Sequence, residues 1–550
     1  MPPARRSPTT PAACGWLAAV ALALRLGLAS RPATLLDRLF VPDDTYYTLA
    51  IARSIARGLG PSADGAHPTS GFQPLIAFLV VPVLRLRDDP ELAFRAVLVV
   101  GAVSDALTVW LLGHLACRLT PPTDDARTSR LAAVVASTTW TLSSAAIANA
   151  LNGLETSLAL ACTLGALAAW VSARERRAPL AWLLSGATLG LCLFARVDTV
   201  FFVGMIALAT LVRVGVRATA LAASGAIAVV GPWWTYSLVR FGTIVPESGA
   251  AVREQTLMYR AMGMNARDTL AWAAGASLGP PLVDWAWLRE ALGSGASAVG
   301  CAFGIAFVAY ALAVARDHRR PDALRILSAV AACLFLFYGL YLPATWFFRR
   351  YLAIEHAFVA LVAAIVLARV ATERSLSGPS LSGRSRRGVR IGIAASLAVC
   401  LAAALASIVR FATSTPSITV DQRHHGAKGY REPSRQVLAR APRGAVIGAF
   451  QSGALGWFAE GTGLTVVNLD GVVDGEAARA VREHRLASFA RSRGVTHLAD
   501  WKVNARLFVA RSGDPRIVEG SLRPIAEAEP QGANERFVLY AIDWPEPVTD

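Results

Sequence analysis

Apolar runs long enough to cross a membrane recur along this chain from residue 14 to residue 410. A helix of about 20 apolar residues spans the hydrocarbon core of a bilayer, and a helix satisfies its own backbone polar groups there. The sequence therefore predicts a polytopic α-helical membrane protein with about 11 transmembrane helices. We place them at 13–30, 92–116, 129–150, 155–173, 178–195, 198–213, 217–239, 296–315, 322–342, 350–370 and 389–410.

Arginine-rich loops give the orientation. The apolar stretch 73–87 is short and bracketed by prolines, so we predict a juxtamembrane or re-entrant segment there. The arginine-rich loops then fall on one side, which is the cytoplasmic side. We expect a multi-pass protein of the bacterial inner (plasma) membrane with a cytoplasmic N-terminus. Its transmembrane domain covers 1–410, with the first exoplasmic loop at 31–91, and an exoplasmic domain covers 411–550.

Composition supports this class and limits the partners. The chain is 54% hydrophobic and 17% charged, whereas soluble domains have about 45–50% and about 25%. The net charge of +16 lies largely in short loops between apolar runs, so we expect no nucleic-acid partner. All seven cysteines lie in or beside apolar segments, which argues against a disulfide framework and against a cysteine metal site.

The C-terminal 140 residues change character. Short β-like runs alternate with helical stretches such as 476–491, and this alternation predicts a small α/β domain. The glycine-containing run 453–456 lacks the spacing of a nucleotide-binding loop. The predicted strands lie at 444–450, 464–469, 495–499 and 536–542.

Two adjacent carboxylates, Asp43 and Asp44, follow the first apolar segment. Ionisable residues at the edge of a membrane are candidates for function. The alternative is that one of them caps the helix that begins near Thr45. A cap needs only one aspartate, so the pair favours function. Arg25 and Asp105 are charged residues placed inside apolar runs.

Three motifs resemble the first exoplasmic loop of the GT-C glycosyltransferases, which are polytopic enzymes that use polyprenyl-phosphate sugars. They are Asp43-Asp44-x-Tyr46-Tyr47, the run 51–60, and Asp64-Gly65-x-x-Pro68-Thr69-Ser70-Gly71-Phe72-Gln73-Pro74-Leu75. The nearest similarity is to glycosyltransferase-39-like or RgtA-like proteins, with some similarity to mycobacterial arabinofuranosyltransferases. Later segments fit the same pattern, and the resemblance covers about residues 10–410. Protein mannosyltransferases carry Glu where this chain has Asp44, which argues against protein O-mannosylation.

The resemblance implies transfer of a sugar, with inversion, from a polyprenyl-phosphate donor to a cell-envelope glycan, lipid or protein. It implies that Asp43 is the base and that Asp44 orients the acceptor. A divalent cation, Mg²⁺ or Mn²⁺, held by both is an alternative, since some relatives use one and others do not. Arg196, Arg349 and Arg350 are candidates for the donor phosphate because guanidinium groups match phosphate oxygens. Interfacial snorkelling is the other interpretation.

Six further residues are candidates for substrate binding, and each has a structural alternative. The tyrosines fit an interfacial aromatic belt, the acids fit helix starts, and the histidine fits a polar surface loop. Rival functions are a secondary transporter or lipid flippase, and a non-catalytic glycan-binding membrane protein. Transporters are often built from repeated halves, and no repeats occur here. The six are Tyr46, Tyr47, His67, Gln73, Glu155 and Asp198.

Overall fold

The computed structural model describes residues 10–120, 125–261, 265–282, 293–318, 320–344, 348–372, 408–409, 413, 429–529 and 536–546. Within these residues, a bundle of apolar helices is followed by a small α/β domain. The helices of the bundle are α1 (Ala12–Ala29), α2 (Ala33–Leu39), α3 (Asp43–Ala56), α4 (Pro74–Leu86), α5 (Pro90–Leu119), α6 (Ala126–Leu142), α7 (Ser144–Ala150), α8 (Thr156–Arg176), α9 (Pro179–Ala195), α10 (Val200–Arg213), α11 (Val216–Phe241), α12 (Glu247–Ala261), α13 (Ala266–Leu282), α14 (Ala296–Arg316), α15 (Asp322–Leu336), α16 (Phe348–Tyr351) and α17 (Ala353–Ala371).

Seven of the described helices are long and apolar enough to cross a membrane. They are α1, α5, α8, α11, α14, α15 with its π-helical extension Phe337–Tyr341, and α17. The apolar helices α4 and α9 are shorter, as the sequence predicts for α4. The polytopic helical fold is thus confirmed, and the predicted span 389–410 lies outside the described residues apart from 408–409.

The predicted span 129–150 is not one straight helix. Helices α6 and α7 meet at a 63° bend. Ser143 at the break has an extended backbone, and its hydroxyl accepts a hydrogen bond from the backbone N–H of Ala146. Serine favours the end of one helix and the start of the next because its side chain can accept a hydrogen bond from the first turn of the second helix.

No transmembrane span is predicted between residues 239 and 296, but the described part of this segment contains two helices, α12 and α13. Helix α12 contacts the first polar loop, where Glu247 accepts hydrogen bonds from Thr69 and Ser70, and it packs against α20 of the C-terminal domain. Helix α13 packs against α14 and α17. Ala271, Ala273 and Ala274 of α13 are buried. Residues of α12 line the cavity of the candidate active site.

Two buried charges of the bundle, Arg25 and Asp105, neutralise each other. Arg25 Nε lies 2.8 Å from Asp105 Oδ2, and Arg25 also donates to the carbonyl of Thr141 at 2.7 Å. The indole N–H of Trp140 donates to the second oxygen of Asp105 at 2.9 Å. A paired and hydrogen-bonded charge is the form that a membrane interior tolerates, so this network needs no transported ligand to explain it.

The C-terminal domain is a five-stranded mixed sheet in the order β2-β1-β3-β5-β4. Strands β1 (Val446–Ala449), β2 (Thr465–Asn468) and β3 (His497–Trp501) are parallel, while β4 (Leu522–Glu527) and β5 (Phe537–Ile542) are antiparallel additions. Its helices are α18 (Arg431–Leu438), α19 (Gly453–Ala459), α20 (Gly475–Arg482), α21 (Leu486–Ser492) and α22 (Lys502–Arg511). The four predicted strands are confirmed, and β4 was not predicted. The predicted helix 476–491 is broken at His484, whose φ is 52°.

The C-terminal domain is docked on the first polar loop. Helix α19 packs against α3, and Ala454 and Trp457 belong to the same buried cluster as Leu49. The Arg53 guanidinium lies 3.5 Å from the centre of the Trp457 ring. At Gly71 the carbonyl of Val472 lies against the Cα atom and leaves no room for a side chain. The domain therefore covers the N-terminal end of α3, where Asp43 and Asp44 lie.

Candidate active site

A cavity of about 1240 Å³ lies between the membrane helices and the docked C-terminal domain. Residues from the first polar loop, from the helix ends of the bundle, from α12 and from the C-terminal domain line it. Eight of the eleven candidates predicted from sequence are in the lining. They are Asp43, Asp44, Tyr47, Gln73, Glu155, Arg196, Asp198 and Arg350.

Asp43 is held by the C-terminal domain. It is 2% exposed, and its two carboxylate oxygens accept hydrogen bonds from the backbone N–H groups of Gly453 and Ala454, each at 2.8 Å. The N-cap of α3 is Pro42, so neither aspartate is the cap of its own helix. Burial, together with the nearby charges of Asp44 and Asp470, raises the pKa of Asp43 to about 8, although the amides of Ala454 and Gly453 favour the ionised form.

Asp44 faces the cavity beside a cation. Arg350 Nη2 lies 2.9 Å from Asp44 Oδ2, and the Asp44 side chain is 28% exposed. Helix α16, a single turn before α17, places Arg350 opposite the first turn of α3. The site thus has a carboxylate accessible from the cavity and a guanidinium that can hold a second anion.

This arrangement does not fit a divalent cation. Both oxygens of Asp43 face N–H donors, and the partner of Asp44 is a guanidinium that would repel a metal ion. Among the described residues, no group of three or more His, Cys, Asp or Glu side chains is placed to hold a metal ion. We therefore derive no step that uses Mg²⁺ or Mn²⁺.

Arg196 is surrounded by acids. Its Nη1 lies 2.9 Å from Glu155 Oε1, and its Nε donates to both oxygens of Asp198 at 2.8 and 2.9 Å. Tyr338 donates a further hydrogen bond to Asp198, and the Tyr351 ring centre lies 4.8 Å from the guanidinium. One cation here is matched by two anions, so this cluster carries no excess positive charge for a phosphate.

Tyr47 lines the cavity, whereas three other candidates do not. The Tyr47 hydroxyl lies 3.0 Å from Ser452 Oγ and accepts from Asn468 Nδ2 at 3.1 Å. Tyr46 is fully buried and donates to Asp37 at 2.6 Å, so it holds the first loop together. His67 is half exposed, pairs with Asp64 at 2.6 Å and contacts Arg493. Arg349 is absent from the lining, although its backbone carbonyl accepts from Asn149 Nδ2.

The C-terminal sheet supplies part of the site that the sequence did not indicate. Ligands of open parallel sheets bind beyond the carboxyl ends of the strands, where the strand order reverses. In this sheet that point lies between β1 and β3, and the residues just beyond the ends of β1, β2 and β3 line the cavity. Burial raises the pKa of Asp470 to about 7, with further contributions from the charges of Asp44 and Asp500. The polar and aromatic lining residues here are Gln451, Asp470, Trp501 and Asn504.

Comparison with solved structures identifies the architecture. ArnT from Cupriavidus metallidurans, bound to undecaprenyl phosphate, superposes with a TM-score of 0.50 at 15% sequence identity, over 96% of this chain and 98% of that one. Its apo state gives 0.51 at 16% identity, over 98% and 100%. The chain has the GT-C fold. The oligosaccharyltransferase AglB from Archaeoglobus fulgidus, in complex with an inhibitory peptide and a dolichol-phosphate, gives 0.50 at 14% identity, over 97% of this chain and 75% of that one. No protein-family model matches the sequence, and no curated protein matches it.

Proposed function

We propose that this GT-C protein is a membrane glycosyltransferase that moves a sugar from a polyprenyl-phosphate donor to an acceptor hydroxyl, with inversion at the anomeric carbon. The observation that carries the proposal is the Asp44–Arg350 pair, which faces a cavity enclosed by both domains. Sugar transfer from a lipid phosphate needs a base for the acceptor and a cation for the leaving phosphate. The pair supplies one of each within hydrogen-bonding distance.

The reaction follows from these two groups. The acceptor hydroxyl attacks the anomeric carbon while Asp44 takes its proton, and the bond between that carbon and the phosphate oxygen breaks. Arg350 stabilises the negative charge that develops on the phosphate, as a preorganised donor does in a water-poor site. When the phosphate binds Arg350, the carboxylate of Asp44 loses its ion-pair partner. It can then act as the base.

The family resemblance assigns the base to Asp43, but the geometry favours Asp44. Asp43 accepts two backbone hydrogen bonds and is 2% exposed, so an acceptor hydroxyl reaches it only after the Gly453 and Ala454 amides are displaced. We therefore assign Asp43 to positioning the C-terminal domain over the site. The cluster of Arg196, Glu155 and Asp198 holds the cavity wall, and Gln73 contacts substrate. Tyr47 is 5% exposed and its hydroxyl bonds to Ser452 and Asn468, so it helps to hold the C-terminal domain.

The proposed orientation places the active site on the exoplasmic side of the membrane. The arginine-rich loops support a cytoplasmic N-terminus and an exoplasmic site. Apolar helices and the GT-C fold support a multi-pass membrane location. We propose the bacterial plasma membrane, with an acceptor that reaches the cavity from the outer aqueous side and a donor that reaches it from the lipid.

The test measures transfer from labelled polyprenyl-phosphate sugars in vesicles that contain the full-length protein and a cell-envelope extract. Asp44→Asn keeps the shape and removes the base, so transfer should fall by about 10²–10⁴. Asp43→Asn should lower transfer less, because the amide side chain still accepts a hydrogen bond from α19. The reverse ranking of the two variants would restore Asp43 as the base, and no transfer by the wild type with any donor would refute the function.

A further inference from the structure

The C-terminal domain gives the cavity a charged rim. Residues 482–485, from the last residue of α20 to the turn before α21, are Arg-Glu-His-Arg and are all exposed. Arg482 in this run and Arg511, the last residue of α22, both line the cavity. Charged side chains are costly to place against lipid, so this rim faces water. It is the side from which an acceptor arrives in the proposed function.

A chain of contacts fixes the rim relative to α12. Glu254 Oε1 on α12 lies 3.3 Å from Arg482 Nε. Two residues further on, His484 has a φ of 52°, and its Nε2 lies 2.9 Å from Arg511 Nη1. The positive φ turns the chain sharply here, so the turn after α20 meets the end of α22. The fold thereby brings the two guanidinium groups to the same rim.

Positive charge exceeds negative charge at the rim. Three arginines of the lining lie there, against one carboxylate of the described lining, Glu254. Arg511 forms no ion pair with a carboxylate in the described part of the chain; its contact is with the His484 ring. The nearby Asp514 pairs instead with Arg516 at 2.8 Å. A cleft lined by one sign of charge concentrates ligands of the opposite sign. The three arginines are Arg253, Arg482 and Arg511.

The Glu254–Arg482 pair can be exchanged for a ligand. The side chains are 26% and 51% exposed, respectively, and an exposed ion pair contributes little to stability because water screens it. An anion that enters the rim can therefore replace Glu254 on Arg482 and take Arg511 as a second donor. Guanidinium groups match both carboxylate and phosphate oxygens.

One face of α22 connects the rim to the interior of the cavity. Asn504, Leu507 and Arg511 all line the cavity, and their spacing places them on the same side of the helix. Asn504 and Arg511 are seven residues apart, or about 10 Å along the helix axis. Gln451, just beyond β1, also lines the cavity. An elongated ligand can thus place hydroxyl groups at the two amide side chains and an anionic group at the rim.

We propose that the acceptor is an acidic saccharide, whose carboxylate or phosphate group binds Arg482 and Arg511 while its hydroxyl groups contact Asn504 and Gln451. This inference rests on the proposed function and names the chemical class of its acceptor. A neutral glycan would leave the excess charge of the rim unmatched. A small free anion would not extend to the amide side chains, so the charged saccharide is the occupant that matches both parts.

The experiment measures binding to the purified full-length protein in phosphatidylcholine nanodiscs by titration calorimetry. The probes are trigalacturonate, mannose 6-phosphate, maltotriose and inorganic phosphate. At least one of the two acidic saccharides should bind about 10-fold or more tightly than neutral maltotriose, and the tighter one identifies the anionic group. Arg511→Gln should weaken its binding by about 10- to 100-fold, the effect of losing one charge-assisted hydrogen bond, and leave maltotriose unchanged.

Two further variants separate charge from structure. Glu254→Gln should strengthen binding of the acidic saccharide by about 2- to 5-fold, because it removes the competing carboxylate from Arg482. A gain in affinity cannot come from misfolding, so this variant tests the inference even where Arg511→Gln is unstable. The matched control is Arg506→Gln on the same helix. Arg506 is 73% exposed, pairs with Glu519 and lies outside the lining, so its loss should change nothing.

Four results would overturn the inference. Equal affinity for maltotriose and both acidic saccharides would show that the rim does not select charge, and equal affinity for inorganic phosphate would reduce it to a free-anion site. Unchanged saccharide binding in Arg511→Gln, with weaker binding of dioctanoyl phosphatidylglycerol, would assign the rim to lipid head groups. Transfer by the wild type to a neutral envelope glycan, unchanged in Arg511→Gln, would refute the acidic acceptor and leave the proposed function standing.

Discussion

Gly453 provides the sharpest test of how the C-terminal domain is held over the site. A methyl group added at this position would lie 2.9 Å from Asp43 Oδ2 and closer still to the backbone carbonyl of Asp43. Gly453→Ala must therefore push α19 away from α3. The matched control is Gly456→Ala on the same helix, where an added methyl group meets nothing within 4 Å.

The size of the effect follows from two costs. Displacing α19 weakens a hydrogen bond to Asp43, at about 1–2 kcal/mol, and overpacking a close contact costs about 1–3 kcal/mol. Together they weaken docking by about 3 kcal/mol, or roughly 100-fold in the equilibrium between docked and open domains. Gly456→Ala should be neutral or slightly stabilising, because alanine is the better helix former.

The measurement is hydrogen exchange at the backbone amides of position 453 and of Ala454, which are the donors to Asp43. Their exchange reports local opening, so it should accelerate roughly 100-fold in Gly453→Ala and stay unchanged in Gly456→Ala, with sugar transfer falling in step. Equal exchange in the two variants would show that these amides do not hold the domain. Transfer that survives a fully open domain would show that docking is irrelevant to the reaction.

Two further predictions concern pH and orientation. Burial raises the pKa of Asp43 to about 8 and that of Asp470 to about 7 in the docked domain, against an ordinary 3.8; docking therefore favours the protonated forms and should weaken as pH rises from about 4 to about 8. Hydrogen exchange of α19, corrected for intrinsic rates, should show this decline, and an increase in protection with pH would contradict it. In a cysteine-free background, Asp64→Cys should react with an impermeant thiol reagent from outside intact cells and Ser382→Cys should not; the opposite pattern would invert the topology.

The sequence predicts the parts of the fold that local pattern encodes. Apolar length gives the seven spans that the described residues contain, and alternating short runs give four of the five strands. Strand β4 is not predicted. It contains Pro524, which argues against a central strand, but β4 lies at the edge of the sheet, where proline is tolerated. Helix α13 is not predicted either, and its sequence includes Gly279-Pro280-Pro281, which is typical of a turn.

The site is less predictable because its contacts join distant parts of the chain. Arg196 and Asp198 are two residues apart, and their pairing is visible as a motif. Asp43 meets Gly453 across 410 positions, and no local signal gives that contact. The sequence consequently suggests which side chains are unusual in a membrane protein, whereas only the fold shows that Asp43 is engaged and Asp44 is available.

The two aspartates connect domain closure to the chemistry. The cavity is lined from both domains, so it is complete only when the C-terminal domain is docked. Asp43 holds that domain through two backbone amides, and the next residue in the same helical turn, Asp44, faces the cavity. A displacement of α19 therefore moves the start of α3 and with it the carboxylate that pairs with Arg350. In the proposed mechanism two adjacent aspartates are needed, because holding the domain requires a buried carboxylate and accepting a proton requires one that the acceptor can reach.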